Sequence, residues 1–498
     1  MPEATVSRKT EEKLEEKKEE KPTPKDNLVE TKHTVKIGGK EIKYTVTTGT
    51  IILKEDVHDK EKDTEVEKAR AQIFFVAYTR DGVRDKSQRP ITFSFNGGPG
   101  SSSVWLHLGV LGPRRVVLTD DGELPPPPFK LTDNQYSILD ETDLVFIDPM
   151  GTGYSRPVEG EKSKEWHGFK KDIESVGDFI RLYVTRYNRW LSPKFLVGES
   201  YGTTRAAGLS GYLQDRHGMY LNGLMLISAV LDFTTIDFNL NNELPYIMFL
   251  PAYAAAAWYH DKLSFKMPLQ TLLKEVEEFA MGDYTAALMR GAALTPEERA
   301  NIVEKISRYT SLARDFIERS NLRINDQHFF KELLRDRGRT IGRLDCRFTA
   351  IDRLGVTERP EFDPLLTNVM GPYTAAFYDY IRSELNFESD LPYEILSGKV
   401  WTNWSYKEFE NSYVQVVETL RQAMTYNPYL KVFVANGYYD LGTPYFATEY
   451  TFNHLGLDES LRKNISMEYY DAGHMMYIHM PSLKAMKKDL ASFIKSAM

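Results

Sequence analysis

Nine residues near the middle of the chain, Lys194-Phe195-Leu196-Val197-Gly198-Glu199-Ser200-Tyr201-Gly202, restrict the possible fold more than any other stretch. An apolar run ends in Gly-x-Ser-x-Gly, and a small-residue helical pattern follows from Thr203 to Leu213. That order predicts a strand, a turn too tight for side chains at its flanks, and a helix whose N-terminus is aimed at the serine. Such a turn lifts the Ser200 hydroxyl above the end of a strand. It demands a sheet with helices packed on its faces.

The surrounding sequence repeats the same rhythm. Ile91 to Phe95 is a buried-type strand running into Asn96-Gly97-Gly98-Pro99-Gly100, where glycines let the backbone approach a ligand. Leu144 to Asp148 is another, ending in Pro149-Met150-Gly151-Thr152-Gly153. Lys164 to Trp190 carries apolar residues at Phe169, Ile173, Val176, Ile180 and Val184, one helical face. Gly223 to Ser228 is a further strand. Strand and helix in alternation predict an α/β fold with a mostly parallel central sheet. Ahead of it, His33 to Ile37 and Glu41 to Thr47 alternate around Gly38-Gly39, a hairpin signal. The charged stretch from Glu55 to Lys68 reads as an exposed loop.

From about residue 230 to 425 the rhythm stops and helical patterns dominate. Thr295-Pro296-Glu297-Glu298 is a helix start with a capping box. This block reads as a mostly helical cap inserted into the sheet domain. The α/β pattern returns at Lys431 to Asn436, with Asp440 in the following loop, and again at Ile465 to Tyr470, followed by Asp471-Ala472-Gly473-His474. The expected organisation is a charged, disordered tail over 1–27, a core over 28–229 and 426–498, and the cap over 230–425.

Composition excludes several classes. No run of about 18 apolar residues predicts a membrane span. A net charge of −8 gives no electrostatic footprint for nucleic acid. The single cysteine, Cys346, excludes an intramolecular disulfide and a cysteine-rich metal site. No signal-peptide core opens the sequence, which points to the cytoplasm; removal of a leader would make the protein periplasmic or secreted. Neither a metal nor a cofactor is expected.

Ser200, Asp440 and His474 each follow an apolar strand, so a doubly wound sheet brings them to one edge. Serine is a poor nucleophile at neutral pH and needs an imidazole to take its proton. A carboxylate must fix the imidazole tautomer, and backbone N–H groups must face the developing oxyanion. Gly98 and Tyr201 are the candidate oxyanion donors. Asp471 is the competing candidate for the acid. The order serine, acid, histidine is that of the α/β-hydrolases.

Several linked motifs also resemble the serine carboxypeptidase family: Asn96-Gly97-Gly98-Pro99-Gly100, Ile147-Asp148-Pro149 with Gly151 to Ser155, Gly198 to Gly202, Gly437 to Asp440, and Ala472 to Met475. The resemblance spans roughly residues 70–495 and is weakest in the cap. It implies an α/β-hydrolase fold, a Ser200–Asp440–His474 triad, and a peptide substrate cut at its last peptide bond without a cofactor. It further implies that Asn96, Gly97 and Glu199 recognise the terminal carboxylate, although Glu199 could simply be a buried, hydrogen-bonded carboxyl. Two positions depart from the family pattern. Ser101 replaces a usual cysteine. Val110 stands where the family carries a second glutamate, shortly before Gly112-Pro113, so a weaker carboxylate preference is expected. Arg114 and Arg115 could supply charge there instead. The rival readings are an esterase or acyltransferase with the same triad, and a catalytically silent binding protein of the same fold.

Overall fold

The structure is a computed structural model that describes residues 24–59 and 64–498. Most of the tail expected over 1–27 lies outside the described residues. Its end is tied down: Asp26 pairs with Arg186 at 2.6 Å, and Asn27 opens the first strand.

Among the described residues nine strands follow one another across the main sheet: β1 (Asn27–Ile37), β2 (Lys40–Asp59), β3 (Thr64–Arg80), β4 (Ile91–Phe95), β5 (Asp143–Ile147), β6 (Lys194–Glu199), β7 (Gly223–Ile227), β8 (Lys431–Gly437) and β9 (Ile465–Tyr470). Their order is β1-β2-β3-β5-β4-β6-β7-β8-β9, with the short piece Arg156–Pro157 paired to β3. The first three are antiparallel meanders, and β3 meets β5 antiparallel. From β5 to β9 all pairings are parallel. The parallel strands are the apolar runs, as expected for strands covered on both faces.

One face of the sheet packs against helices α1 (Phe169–Arg186) and α2 (Tyr201–His217), through residues such as Phe179, Ile180, Leu209 and Leu213. The other face packs against the segment Val104–Leu111 and two later helices, Pro364–Asp379 and Met480–Ser496. Residues 230–425 are mostly helical and build a further apolar cluster around Met248, Tyr253, Leu272, Ile306 and Phe329. The Thr295 capping box is present, with Thr295 and Glu298 each bonding the other's backbone. No helix among the described residues is long and apolar enough to cross a membrane.

The described parts of the charged stretch from Glu55 to Lys68 are strand and not loop. Over residues 55–59 and 64–68 β2 and β3 form a two-stranded ribbon, with Glu55 opposite Lys68 and Asp59 opposite Thr64, and residues 60–63 lie outside the described residues. Charge signals exposure and not the absence of a strand. Here the ladder supplies the backbone bonds, while Lys54 pairs with Glu67 at 2.9 Å and Glu55 with Lys171 at 3.2 Å.

The chain runs from β4 outward to β5, then returns to place β6 on the other side of β4. The strand order therefore reverses between β4 and β6. Loops leaving two such strands diverge and open a crevice at their C-terminal ends. Register puts Phe95 beside Gly198, so the Gly-rich loop and the Ser200 turn rise next to each other.

Candidate active site

Ser200 has φ 60° and ψ −131°, a region costly for a residue with a side chain. Its N–H is held by the Ile227 carbonyl at 3.0 Å, and the Thr203 hydroxyl bonds its carbonyl at 2.7 Å. Gly198 is obligatory under this turn, because a Cβ there would lie 2.0 Å from the Gly202 carbonyl oxygen. Gly97 is equally constrained: its Cβ would sit 2.5 Å from the Tyr201 nitrogen. The β4 loop thus lies directly against the first N–H of α2. Among the described residues, neither the Gly98 nor the Tyr201 N–H has a hydrogen-bond acceptor.

Asp440 is fully buried and fully satisfied. Its Oδ1 accepts from the N–H groups of Gly442 (2.7 Å) and Thr443 (3.1 Å), and its Oδ2 from the Thr443 hydroxyl (2.7 Å). Oδ2 also meets His474 Nδ1 at 2.7 Å. That contact assigns the proton to Nδ1 and leaves Nε2 as the acceptor. Burial works against protonation of His474, but the Asp440 carboxylate beside it, with help from Glu199, outweighs burial and raises the ring above the usual histidine range. Asp471 is exposed and does not contact the histidine; its carbonyl accepts from Arg347 at 3.1 Å.

The histidine loop is braced from the helical block. His474 N–H donates to the Leu344 carbonyl at 2.7 Å, and the Ser228 hydroxyl bonds the His474 carbonyl at 2.7 Å. Gly473 N–H donates to Asp345 at 3.0 Å, and Asp345 pairs with Arg347 at 2.7 Å. The Arg343 carbonyl takes the N–H of Leu441, beside Asp440. Nothing in the residues 343–347 signalled this role, because it depends on where the chain returns to the sheet.

Asn96 and Glu199 are joined across the crevice. Asn96 Oδ1 accepts from Leu106 N–H at 3.1 Å, which orients the amide, and Nδ2 donates to Glu199 Oε1 at 2.9 Å. One N–H of that amide remains for a ligand. Burial pushes the Glu199 carboxyl up to about 7, against the opposing pull of His474, Tyr477 and Asn96. Behind this pair lies a buried ion pair that the sequence reading missed. Arg205 bonds Asp172 at 2.8 Å and the Asn96 carbonyl at 2.5 Å. Its signals were an arginine among the small residues of α2 and an aspartate one turn before Val176 on the buried face of α1.

A cavity of about 250 Å³ opens over these groups. Its floor is Asn96, Gly97, Gly98, Glu199, Ser200 and His474; its walls include Trp105, Arg343, Leu344, Leu366, Leu396, Trp401 and Met475. Ser101, in the family's cysteine position, also lines it and accepts the Trp105 indole N–H at 2.9 Å. Val110 does not line it; the side chain belongs to the core cluster. Arg114 is engaged by Asp133 and Glu384, both at 2.6 Å, and neither it nor Arg115 lines the cavity. Among the described residues no three His, Cys, Asp or Glu side chains are grouped to hold a metal ion.

The family model described as serine carboxypeptidase matches residues 63–486. The pheromone-processing carboxypeptidase KEX1 of Saccharomyces cerevisiae (strain JAY291) is 32% identical over 160 residues, which are 31% of this chain and 20% of KEX1. Serine carboxypeptidase-like 45 of Arabidopsis thaliana is 27% identical over 184 residues, 35% of this chain and 36% of that protein. The matched stretch thus spans about a fifth to a third of these relatives' length. The crystal structure of Kex1(delta)p from Saccharomyces cerevisiae superposes with a TM-score of 0.55 at 17% identity, covering 91% of each chain. That likeness establishes a shared α/β-hydrolase fold.

Proposed function

The chain belongs to the serine carboxypeptidase family, and from that premise we propose that it removes C-terminal residues from peptides through Ser200, His474 and Asp440. The observation that carries this reading is the common cavity. Ser200 and His474 share its floor with Asn96, Gly97 and Glu199, so a nucleophile and a set of carboxylate donors face one space. An esterase needs only the first half of that arrangement.

In the proposed reaction Ser200 Oγ attacks the carbonyl carbon of the last peptide bond, and its proton passes to His474 Nε2. The oxyanion is received by the N–H groups of Gly98 and Tyr201. Asp440, held by its own four donors, keeps the imidazole in the productive tautomer and stabilises the imidazolium. His474 then gives the proton to the leaving nitrogen, the C–N bond breaks, and the terminal amino acid departs. Water attacks the acyl-enzyme ester as His474 takes its proton, and Ser200 is regenerated. Asn96, through its remaining N–H, the Gly97 backbone and a protonated Glu199 receive the terminal carboxylate. An unpaired buried charge would be costly, so these donors select for a free C-terminus. Residues 230–425 act as a cap inserted between 28–229 and 426–498, and their apolar cavity walls choose the side chains.

The test is a fluorophosphonate probe together with a blocked dipeptide and its amide. Labelling should map to Ser200, and the free acid should be cleaved in preference to the amide. Absence of labelling would favour a silent binding protein. Labelling with ester turnover and no acid preference would favour an esterase or acyltransferase.

A further inference from the structure

Two polar atoms beside the cavity floor are buried without a hydrogen-bond partner: Glu199 Oε2 and the hydroxyl of Tyr477. Such atoms are rare in a folded interior, and each calls for an explanation. They belong to adjacent groups. The Tyr477 hydroxyl lies near enough to the Glu199 carboxyl and the Asn96 amide to interact with both, although neither approach has full hydrogen-bond geometry. The Tyr477 ring is seated against Gly109, where a Cβ would lie 2.4 Å from Tyr477 Cε2 and 2.7 Å from the Tyr373 hydroxyl. Meanwhile Val110, the next residue, is turned into the core.

We propose that Tyr477 is a positioning residue for the terminal-carboxylate subsite, its hydroxyl serving as the partner of Glu199 Oε2. This deepens the carboxypeptidase reading and rests on it. When Glu199 is ionised, Tyr477 O–H donates to Oε2. When Glu199 is protonated and a peptide carboxylate arrives, Oε2–H turns to the carboxylate and Tyr477 is left as its support. A second carboxyl in this place would repel the substrate's charge once ionised, and would drive the Glu199 carboxyl further up. A tyrosine does neither. Burial keeps its hydroxyl neutral far beyond the working pH, and its donated bond favours the ionised form of Glu199. The other groups facing Glu199 are His474 and Asn96, which also favour ionisation, and Asp440, which opposes it; Tyr373 also senses the Glu199 charge.

The experiment measures kcat/KM against pH for a blocked dipeptide and for its amide, in the parent protein and in Tyr477→Phe. The phenylalanine keeps the ring and removes only the hydroxyl, and the thermal midpoint is recorded as a check on folding. Losing a donor to a charged group raises that group's pKa by about one to two units. The alkaline limb of the free-acid profile should therefore move up by about one to two pH units, while the amide profile does not shift. In a Glu199→Gln background the same change should shift nothing. A parent that discriminates acid from amide while Tyr477→Phe leaves the limb in place would overturn the role of Tyr477 alone. A parent that cleaves acid and amide equally would overturn the carboxylate subsite and Tyr477 with it.

Discussion

His474 Nδ1 meets Asp440 Oδ2 at 2.7 Å across 34 residues of sequence, while Asp471, three residues from the histidine, faces solvent. Proximity in the chain is thus a poor guide to which carboxylate meets the histidine. Asp440→Asn should lower kcat by up to about 10⁴, because an amide in that place favours the wrong imidazole tautomer. Asp471→Asn should stay within about twofold of the parent, as expected for an exposed group outside the site. Steady-state kinetics on a blocked dipeptide read both. The opposite ranking would reassign the acid.

The pH behaviour should separate two kinds of substrate. His474 must be neutral to act as base, and its pKa lies above the usual histidine value, so activity on an amide rises with pH through that raised value and then levels. In the proposed reaction a free acid needs Glu199 protonated as well. Glu199 is pushed to about 7 and keeps its proton only below that, so the free-acid profile should fall again above about 7. The result is a narrow bell for the acid and a plateau for the amide. Because the two groups interact, its limbs report the pair and not either residue.

The helical block holds two separable roles. Leu366 and Leu396 are apolar residues lining the cavity. Leu366→Ala should change the ranking of peptide side chains by on the order of tenfold, yet leave a small activated ester within about twofold. Asp345 instead holds Gly473, next to the histidine. Asp345→Ala should lower ester and peptide turnover together, by up to about 100-fold, through misplacement of His474. Paired kinetics on both substrates distinguish the two outcomes.

Arg205 and Asp172 form a charge pair almost wholly out of water. Removing one member leaves the other buried and unpaired, so Arg205→Ala should cost about 3–5 kcal/mol in denaturant unfolding. Replacing both with apolar residues should recover much of that stability. It should not recover activity fully, because the bond to the Asn96 carbonyl is gone. An Arg205→Ala protein as stable as the parent would contradict the geometry.

What the sequence made legible was local. β6, the Ser200 turn and α2 form one continuous signal, and the Asp440 and His474 loops follow apolar strands in a fixed order. The Gly-rich loop after β4 carried its own signature. Elements defined by distant partners were hidden. The ribbon through Glu55 and Lys68 looked like a loop because its charges pair across strands. Asp345 and Tyr477 gave no sign, since each acts through a backbone group or carboxyl that the fold brings near. The position of Val110 did announce a missing carboxyl, but not that an aromatic residue from beyond His474 would stand in that neighbourhood.

The central claim is that Ser200 and the carboxylate donors work on one substrate in one cavity. Its most direct test is to incubate a mixture of defined peptides, free and C-terminally amidated, with the parent protein and with Ser200→Ala, and to read the products by mass spectrometry. The account predicts stepwise loss of single residues from the free C-termini, much slower loss from amidated peptides, and a drop of about 10⁴ or more in Ser200→Ala. Internal cleavage, equal processing of free and amidated peptides, or near-parental turnover in Ser200→Ala would contradict it.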